Sequence, residues 1–401
     1  MAIDNKDKKV LKSSIEREQN ELVCSAEREK IKGSKNLNVP HLRFPEFTGE
    51  WGAKSINDLA DVIGGGTPDT TVKSYWDGEI QWFTPSEIGK NKFVDVSLRT
   101  ITEDGLNNSS AKLLPPNTIL LSSRATIGEC SLSLRECATN QGFQSLVSKK
   151  CNVDFLYYLI QTKKKDLIRK SCGSTFLEIS ANEVRKIQVS VPSDVEQQKI
   201  AGLLSLIDKR IATQNKIIEN LESLIKGIAQ RVAGLGKPNV RIAECLECTS
   251  STLQESEVSD SGTYPVYGAN GVVGYLDSYN TSDEAIYIVK DGSGVGSVAY
   301  VKGRCSATGT LNILTAKQDY SLQFLYYLLK VFSFDPYKAG MAIPHIYFKD
   351  YGKAKIFCPS YSEQLRYANM LSVTDGKLLI EQKILKRLNL QKKYLLRQMF
   401  I

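Results

Sequence analysis

The sequence predicts an α+β fold in which two mixed α/β segments alternate with two long coiled-coil helices. The first observation behind this prediction is an internal repeat. PSDVEQQKIAGLLSLIDK at 192–209 returns as PSYSEQLRYANMLSVTDG at 359–376, so that each matched residue lies 167 positions later. The second is that both copies open a run of apolar residues with heptad spacing. The third is that FLYYL at 155–159 returns at 324–328, which extends the repeat into the segments before the helices.

The first long helix is predicted over 194–236. Apolar residues recur there at steps of three and four and fill the two core positions of five heptads, with one polar exception. One core position takes Leu204, Ile211, Ile218, Ile225 and Val232, and the other takes Ile200, Ile207, Gln214, Leu221 and Ile228. Glycines at 234 and 236 and a proline at 238 then end the helix.

The second long helix is predicted over 361–401, with a less regular pattern. Leu371, Leu378 and Leu385 keep the heptad, but Lys392 stands where the first copy has Ile225. Two equal halves on one chain tend to pack about a pseudo-two-fold axis. We therefore expect the two helices to run antiparallel and to bury their seams against each other.

The mixed α/β segments are predicted at 38–193 and 237–360. Short apolar runs such as ILLSS at 119–123 and EAIYIV at 284–289 are typical of buried strands, and the FLYYL motifs lie in predicted helices. Residues 1–37 are dense in charge and lack a sustained apolar period. They are predicted to form a charged, weakly helical or flexible extension.

Composition places the chain among globular proteins that suit an anionic partner. Of 401 residues, 42% are hydrophobic and 24% are charged, and the net charge is +8. A basic balance favours an anionic partner without proving one. No apolar run reaches the ~18–20 residues that span a bilayer. The N-terminus also lacks the apolar core of a signal peptide, so a cytoplasmic location is expected.

Neither a metal site nor a catalytic set is predicted. The nine cysteines are scattered, and their odd number favours reduced thiols over a disulfide framework. Cys245 and Cys248 form one C-x-x-C without a second pair, which favours incidental thiols over zinc. The sequence has two histidines, no G-x-x-x-x-G-K-[ST] loop and no H-E-x-x-H. DGSGVG at 291–296 has strand-like runs on both sides, which favours a hairpin loop over a dinucleotide site.

Each half of the sequence places a polar loop after a strand at equivalent positions. SSRATIG at 122–128 corresponds to DGSGVG at 291–296, and NQGFQ at 140–144 corresponds to TGTLN at 308–312. Arg, Asn, Gln, Ser and Thr are side chains that read base edges in the major groove of DNA. Loops that match in position and differ in residues are typical of two readers with different targets. Ordinary polar loops remain the alternative.

The phrase at 192–209 resembles the repeated-helix signature of the specificity subunit of type I restriction-modification systems. LRFPEFTGEW at 42–51, GGTP at 65–68 and GSTFLEI at 173–179 resemble further motifs of that family. The resemblance covers roughly residues 38–401. It implies a non-catalytic subunit whose α/β segments are target recognition domains, each reading one half of a split, asymmetric sequence in double-stranded DNA.

The resemblance also implies the partners of this chain. Two modification subunits would bind S-adenosylmethionine and methylate adenine N6, and two restriction subunits would use ATP and Mg²⁺. No cofactor is expected on this chain itself. The long helices would fix the spacer between the half-sites and dock the partner subunits. The docking residues would be Glu196, Gln197 and Asp208 in the first copy and Glu363, Gln364 and Asp375 in the second.

The loop positions and the resemblance together predict the DNA-contacting residues. In the first recognition domain they are Thr67, Ser122, Ser123, Arg124, Thr126, Asn140, Gln141, Gln144, Ser174 and Thr175. In the second they are Tyr267, Asn270, Lys290, Ser293, Thr308, Asn312 and His345.

Two features depart from the family pattern. Residues 1–37 precede its usual start, and EQLRYA at 363–368 lacks the Gln-Lys-Ile of the first copy, which puts the symmetry of partner docking in doubt. A single-chain restriction and methylation enzyme is disfavoured, because the sequence lacks the Asn-Pro-Pro-aromatic and Asp-Pro-Pro-Tyr motifs of amino-methyltransferases. A coiled-coil scaffold for protein partners alone remains the competing interpretation. Salt-dependent DNA binding by the assembled complex separates the two.

Overall fold

The structure is a computed structural model that describes residues 38–173, 177–292, 294–340 and 343–401. These residues form two compact units. The first unit holds the described residues up to Arg210 together with Leu388–Ile401, and the second holds those of Ile211–Arg387. Each unit combines one α/β head with part of both long helices. We call the described residues of 38–193 the first head and those of 237–360 the second head.

The first head consists of short strands and short helices. Its strands are β1 Gly52–Ser55, β2 Ala60–Gly64, β3 Trp76–Phe83, β4 Phe93–Val94, β5 Arg99–Ile101, β6 Ile119–Leu121, β7 Cys130–Ser133, β8 Cys137–Thr139, β9 Gln144–Ser148 and β10 Gln188–Val191. Its helices are α1 Ile56–Leu59, α2 Glu103–Asn107, α3 Val153–Thr162, α4 Lys164–Arg169 and α5 Ala181–Arg185.

Two sheets build the core of the first head. The larger has the strand order β2-β9-β6-β7-β4, and the smaller has the order β5-β3-β8. Ile119, Leu120 and Leu121 in the central strand β6 are completely buried, as the apolar run in the sequence predicts. Strand β1 pairs with β10, which joins the two ends of the head directly before the first long helix.

The second head repeats these elements. Its strands are β11 Val240–Arg241, β12 Leu246–Ser250, β13 Tyr264–Gly268, β14 Gly271–Leu276, β15 Glu284–Val289, β16 Val298–Lys302, β17 Ser306–Ala307, β18 Leu311–Ala316 and β19 Lys355–Ile356. Its helices are α7 Ile242–Cys245, α8 Leu322–Val331 and α9 Phe348–Tyr351. The long helices are α6 Asp194–Ala233 and α10 Tyr361–Gln398.

The two heads share one strand order, apart from the additional edge strand β4 of the first head, and this agreement confirms the predicted internal repeat. The order β12-β18-β15-β16 in the second head matches β2-β9-β6-β7 in the first, and β14-β13-β17 matches β5-β3-β8. In both smaller sheets the central strand makes an antiparallel pair on one side and a parallel pair on the other. The end-joining pair β1 and β10 likewise returns as β11 and β19.

The long helices run antiparallel within each unit, as predicted. In the second unit the ring of Phe357, just before α10, lies against Gly236, just after α6. About twenty residues further into each helix, the Gln214 side chain donates a 3.1 Å hydrogen bond to the carbonyl of Glu381. The core position of Gln214 is thus satisfied by a hydrogen bond across the seam. Over the described residues, no helix is both long and apolar enough to cross a membrane.

The same arrangement holds in the first unit. The Nζ of Lys392 lies 2.7 Å from Oδ1 of Asp208, which explains the lysine that interrupts the second heptad pattern. Nearer the end of α10, Phe400 packs edge-on against Trp51, whose indole N–H donates to Glu196 at the start of α6. The departure from the heptad is therefore an ion pair between the helices.

A buried glutamine anchors each long helix to its head. Gln197 Oε1 accepts a 3.0 Å hydrogen bond from the backbone N–H of Asn152, and its Nε2 donates to the carbonyl of Pro192 at 3.0 Å. Asn152 is the N-cap of the FLYYL helix α3, because its own side chain accepts from the N–H of Phe155. One amide therefore joins the start of the head helix to the start of the long helix.

The second copy repeats this anchor. Gln364 Oε1 accepts from the N–H of Ser321 at 2.9 Å, and its Nε2 donates to the carbonyl of Pro359 at 3.0 Å. Ser321 is the N-cap of α8, the second FLYYL helix. Both glutamines are 2–3% exposed, so both are committed to the fold. The two glutamine anchors explain why the Pro-x-x-x-x-Gln spacing and the FLYYL motif occur together twice.

The repeated aspartates fasten the same elements further along. The Tyr158 hydroxyl donates a 2.6 Å hydrogen bond to Asp208. In the second unit, burial and the nearby Asp375 carboxylate raise the pKa of Tyr327. Burial raises the pKa of Tyr158, and its hydrogen bond to Asp208 raises it further. Both tyrosine hydroxyls therefore stay protonated at any ordinary pH.

Of the six predicted docking residues, Glu196, Gln197 and Gln364 are only 1–3% exposed, so they present almost no surface to a partner, and docking by the other three stays a prediction. The three buried side chains already serve contacts inside the chain. Glu196 is 1% exposed and pairs with the Arg43 guanidinium at 2.7 Å. That carboxylate raises the pKa of Arg43. Glu363 is exposed, but it accepts a 2.6 Å hydrogen bond from Ser360 at the start of α10. Polar residues at a helix start resemble a surface motif in sequence, whereas these tie the helix to its head.

We predict that replacing Gln197 with alanine destabilises the chain by about 1–3 kcal/mol. The change leaves the Asn152 N–H and the Pro192 carbonyl without partners in a buried place. The measurement is the urea midpoint of the purified chain. Gln198→Ala is the matched control, since that neighbour is exposed on the same helix. Equal midpoints for the two variants would contradict the glutamine anchor.

Candidate nucleic-acid interface

Three predicted loops meet at one edge of the first head. They are residues 64–67, 122–128 and 140–144, which we call the first loop cluster. The N–H of Ser123 donates to the carbonyl of Gly142 at 2.8 Å, and Gly64 pairs with Gln144 across the larger sheet. Thr67 Oγ1 donates to Gln141 Oε1 at 2.5 Å. The predicted DNA-contacting loops are therefore neighbours in space.

Close packing of glycine holds this cluster together. A Cβ on Gly65 would lie 2.1 Å from the carbonyl oxygen of Asn140, and one on Gly66 would lie 2.3 Å from the backbone nitrogen of Ala111. No side chain fits at either distance, so the GGTP motif is a point where three backbone segments touch. The glycines thereby place Thr67 beside Gln141.

The prediction that Ser122 and Ser123 contact DNA is wrong, because neither side chain is exposed. Both residues have 0% exposed surface. The Ser122 hydroxyl donates to the carbonyl of Arg124 at 2.8 Å and accepts from Thr126, so it shapes the loop from inside. The loop turns inward directly after strand β6, and its first two side chains follow the buried strand rather than the surface.

Six predicted residues of the first head keep exposed or half-exposed side chains, and their DNA contacts stay predictions. They are Thr67, Arg124, Thr126, Asn140, Gln141 and Gln144. Asn140 also accepts a hydrogen bond from the N–H of Gly142 at 2.8 Å, which fixes the turn that presents Gln141. Ser174 and Thr175 lie outside the described residues, as does Ser293 of the second head.

The second head brings its predicted loops together in the same way. Lys290 stands directly after β15, and its N–H donates to the carbonyl of Thr310 at 2.9 Å, while its own carbonyl accepts from Ile346. The N–H of Thr308 donates to the carbonyl of Tyr267 at 2.9 Å. Lys290, Tyr267, His345 and the exposed Asn270 remain candidates for DNA contact.

The prediction that Thr308 and Asn312 contact DNA is wrong as well. They are 1% and 3% exposed, so they present no surface to DNA. The Asn312 amide donates a 3.0 Å hydrogen bond to the Tyr351 hydroxyl, and Thr308 pairs with the Thr310 hydroxyl at 2.8 Å. The polar side chains of TGTLN therefore form hydrogen bonds with one another and with Tyr351 in the core beneath them.

The structure also shows two arginines that the sequence reasoning missed. The Arg99 guanidinium stacks 3.5 Å from the ring centre of Trp76, and that of Arg304 lies 5.1 Å from the ring of Tyr279. Arg99 lies in strand β5 of the smaller sheet and Arg304 in the connection between β16 and β17, and both side chains are exposed. Within the described residues neither pairs with a carboxylate. Aromatic contacts of this kind orient a guanidinium while leaving its donors available for a phosphate or a base.

The described residues offer no grouped metal ligands, and two cysteines in the strands of the heads are protonated. They contain no group of three His, Cys, Asp or Glu side chains positioned around a common point. Burial raises the pKa of Cys137 to about 12 and that of Cys248 to about 11. Both thiols are therefore protonated at neutral pH.

Comparison with known proteins identifies the family. The family model described as "Type I restriction modification DNA specificity domain" matches the chain twice, over residues 48–223 and 239–390. These matches cover most of the chain, one for each half of the repeat. The chain belongs to this family of specificity subunits.

Curated relatives agree with this assignment. The type I restriction enzyme MjaIX specificity subunit of Methanocaldococcus jannaschii is 39% identical over 180 residues, which is 44% of this chain and 42% of that protein. The chain thus spans less than half the length of that relative in the match. The EcoprrI specificity subunit of Escherichia coli is 24% identical over 353 residues, covering 80% of this chain and 86% of that protein.

Solved structures show the same fold. The S subunit of a type I restriction-modification system from M. genitalium superposes with a TM-score of 0.61 at 19% identity, over 90% of this chain and 99% of that chain. A second structure, described as the basis of complex assembly and conformational transition of the type I R-M system, gives a TM-score of 0.53 at 14% identity. It covers 89% of this chain and 98% of that chain.

We predict that Gly66→Ala disrupts the first loop cluster. The added methyl group meets backbone atoms of Ser110 and Ala111, and relief of that clash should cost about 1–3 kcal/mol. Thermal melting of the purified chain measures the effect. The control is Gly202→Ala, an open and exposed position inside α6, where alanine should stabilise by about 0.5–1 kcal/mol. A rise in melting temperature for Gly66→Ala would refute the packing argument.

Proposed function

We propose that this chain is the DNA-sequence-recognition subunit of a type I restriction-modification complex. Each head reads one half-site of a bipartite, asymmetric target in double-stranded DNA. The observation that carries this proposal is that the two heads share one topology and one loop arrangement but differ in the side chains that the loops present. Equal scaffolds with unequal loops fit two readers of different sequences better than a scaffold for protein partners alone.

The catalytic steps belong to partner subunits in this proposal. Two modification subunits would bind S-adenosylmethionine and methylate adenine N6, and two restriction subunits would bind ATP and Mg²⁺. The target adenine would leave the duplex to enter a modification subunit's pocket. The chain itself positions these subunits on the DNA, and it would do so in the cytoplasm.

The helix surface opposite the seam supports partner docking. In the second unit Leu371 and Leu378 of α10 are buried in the hydrophobic core, whereas Val373, Leu379 and Ile380 are 66%, 52% and 58% exposed. On α6, Ile217 and Leu224 are exposed one heptad apart. Exposed apolar side chains in series mark a surface for another protein. We assign docking to this surface in place of the buried polar residues that the sequence suggested.

We predict that Val373→Ser combined with Ile380→Ser prevents co-purification with the modification subunit. The two changes remove apolar area from the proposed docking surface, while surface substitutions usually alter stability by less than about 0.5 kcal/mol. Leu98→Ser is the control, since Leu98 is 86% exposed on the first head. Docking elsewhere follows if the double variant retains the partner, or if the control loses it equally.

We predict that inserting one heptad into both α6 and α10 changes the spacer between the half-sites and leaves the half-sites themselves unchanged. A whole heptad preserves the helix seam, and the recognition loops are untouched. The measurement is the methylated motif in cells that also carry the modification subunit. Altered half-sites with an unchanged spacer would defeat the idea that the helices set the spacing.

A further inference from the structure

Near the end of the GSTFLEI motif of the first head, the backbone makes two isolated bridges, one of which reaches the first loop cluster. Glu178 pairs antiparallel with Cys172 within its own loop and with Arg124 in the loop that follows β6. The residue after Arg124, Ala125, has a φ of 53°, in the left-handed region that non-glycine residues rarely adopt. Strained backbone of this kind clusters at functional sites, where the surrounding structure enforces it.

The second head repeats this path residue by residue. His345 pairs with Ala339 in its own loop and with Asp291 in the loop after β15. Each of these three residues lies 167 positions after its counterpart in the first head. Gly292, which corresponds to Ala125, also has a left-handed φ, of 92°. The backbone is therefore the same in both heads, and we call Arg124 with Glu178 and Asp291 with His345 the bridge pairs.

The side chains of the bridge pairs are opposite in character. Arg124 places a cation where the second head places the anion Asp291, and Glu178 places an anion where the second head has His345. Arg124 Nε lies 2.9 Å from Glu178 Oε1. In the described residues of the second head, Asp291 makes no ion pair. The backbone bridges thus hold both loops, and the side chains are not needed for the loop path.

An ion pair of this exposure adds little to stability. The Arg124 and Glu178 side chains are 42% and 38% exposed, and pairs of that kind contribute about 0–1 kcal/mol. Arg124 Nε is buried against the carboxylate without hydrogen-bond geometry, so the contact to Glu178 is an ion pair and not a hydrogen bond. The pair therefore orients the guanidinium without saturating it.

Three further buried polar groups of the first head lack a partner, and one of them belongs to the residue next to Arg124. Ser123 Oγ, Gln144 Oε1 and Ser145 Oγ are buried and have no hydrogen-bond partner in the described protein. Ser123 precedes Arg124, and it is joined by its N–H to Gly142 in the loop that leads to Gln144. Each unsatisfied buried group costs about 1–3 kcal/mol, so a concentration of them calls for a functional explanation.

We propose that the bridge pair is the base-reading position of each head. The member in the loop after the central strand, Arg124 or Asp291, determines which base is recognised. Arg124, positioned by Glu178, contacts the O6 and N7 edge of a guanine in the first half-site. Asp291 accepts a hydrogen bond from the N4 amino group of a cytosine in the second half-site. Arginine and aspartate select these edges by their donors and acceptors. The inference rests on the proposed function and assigns the residues that give each half-site its identity.

The test is a methylated-motif map in cells that express the modification subunit with the wild-type chain or a variant. Arg124→Ala should relax one position of the first half-site by roughly five- to a hundred-fold and leave the second half-site unchanged. Asp291→Asn should do the converse. Arg124→Lys keeps the charge but loses the two-pronged donor, so it should relax the same position as Arg124→Ala. Glu178→Gln should relax that position too, with unchanged chain stability.

Matched controls come from exposed ion pairs in the same heads. Arg135 pairs with Asp95 at 2.6 Å in the first head, and Asp335 pairs with Lys338 at 2.7 Å in the second. Arg135→Ala and Asp335→Asn should leave the motif intact. If Arg124→Ala and Arg124→Lys both keep the full motif, or if they lower methylation equally at every position, the inference is overturned. The proposed function fails separately, if the wild-type chain itself directs no motif.

Discussion

The glutamine anchor is the interaction on which the arrangement of each unit depends. Gln197 and Gln364 each connect the N-cap residue of a head helix with the proline that precedes a long helix. Both amides are buried and fully used, so each head has a fixed attachment at the point where the long helix begins. The hydrogen bond from Tyr158 to Asp208 adds a second attachment further along the first unit, and Asp375 lies near Tyr327 at the equivalent point of the second. Two attachments on a rigid helix fix the direction of a head, which a single contact cannot do.

This attachment separates the part of the chain that is repeated from the part that differs. The glutamine anchors, the shared strand order and the backbone bridges of the bridge pairs occur in both halves. The side chains of the loops differ between the two halves. Arg124 and Asp291 occupy the same backbone position with opposite charge, and Arg99 and Arg304 reach aromatic rings from different elements, a strand and a connection. Under the proposed function, a duplicated scaffold with individual loops would let each half-site change without altering the helices or the proposed docking surface.

The sequence predicted the elements whose information is local or periodic. The heptad spacing predicted both long helices, the 167-residue offset predicted the repeat, and the apolar runs predicted β6 and β15. Burial of single polar residues was not predictable in this way. Ser122 looks like a loop residue, yet it lies inside because strand β6 is buried up to its last residue. Gln197 looks like a surface residue of a helix start, but tertiary packing gives it partners 45 residues away. The stack of Arg99 on Trp76 has no sequence signal either, since strand pairing creates it.

The direct test of the central claim is a genome-wide map of methylated adenine in cells that carry the modification subunit, with and without this chain. The account predicts one motif of two separated half-sites that appears only when the chain is present. Salt-sensitive binding of the purified complex to DNA containing that motif would accompany it. A motif that persists without the chain, or one continuous half-site in its presence, would contradict recognition by two heads.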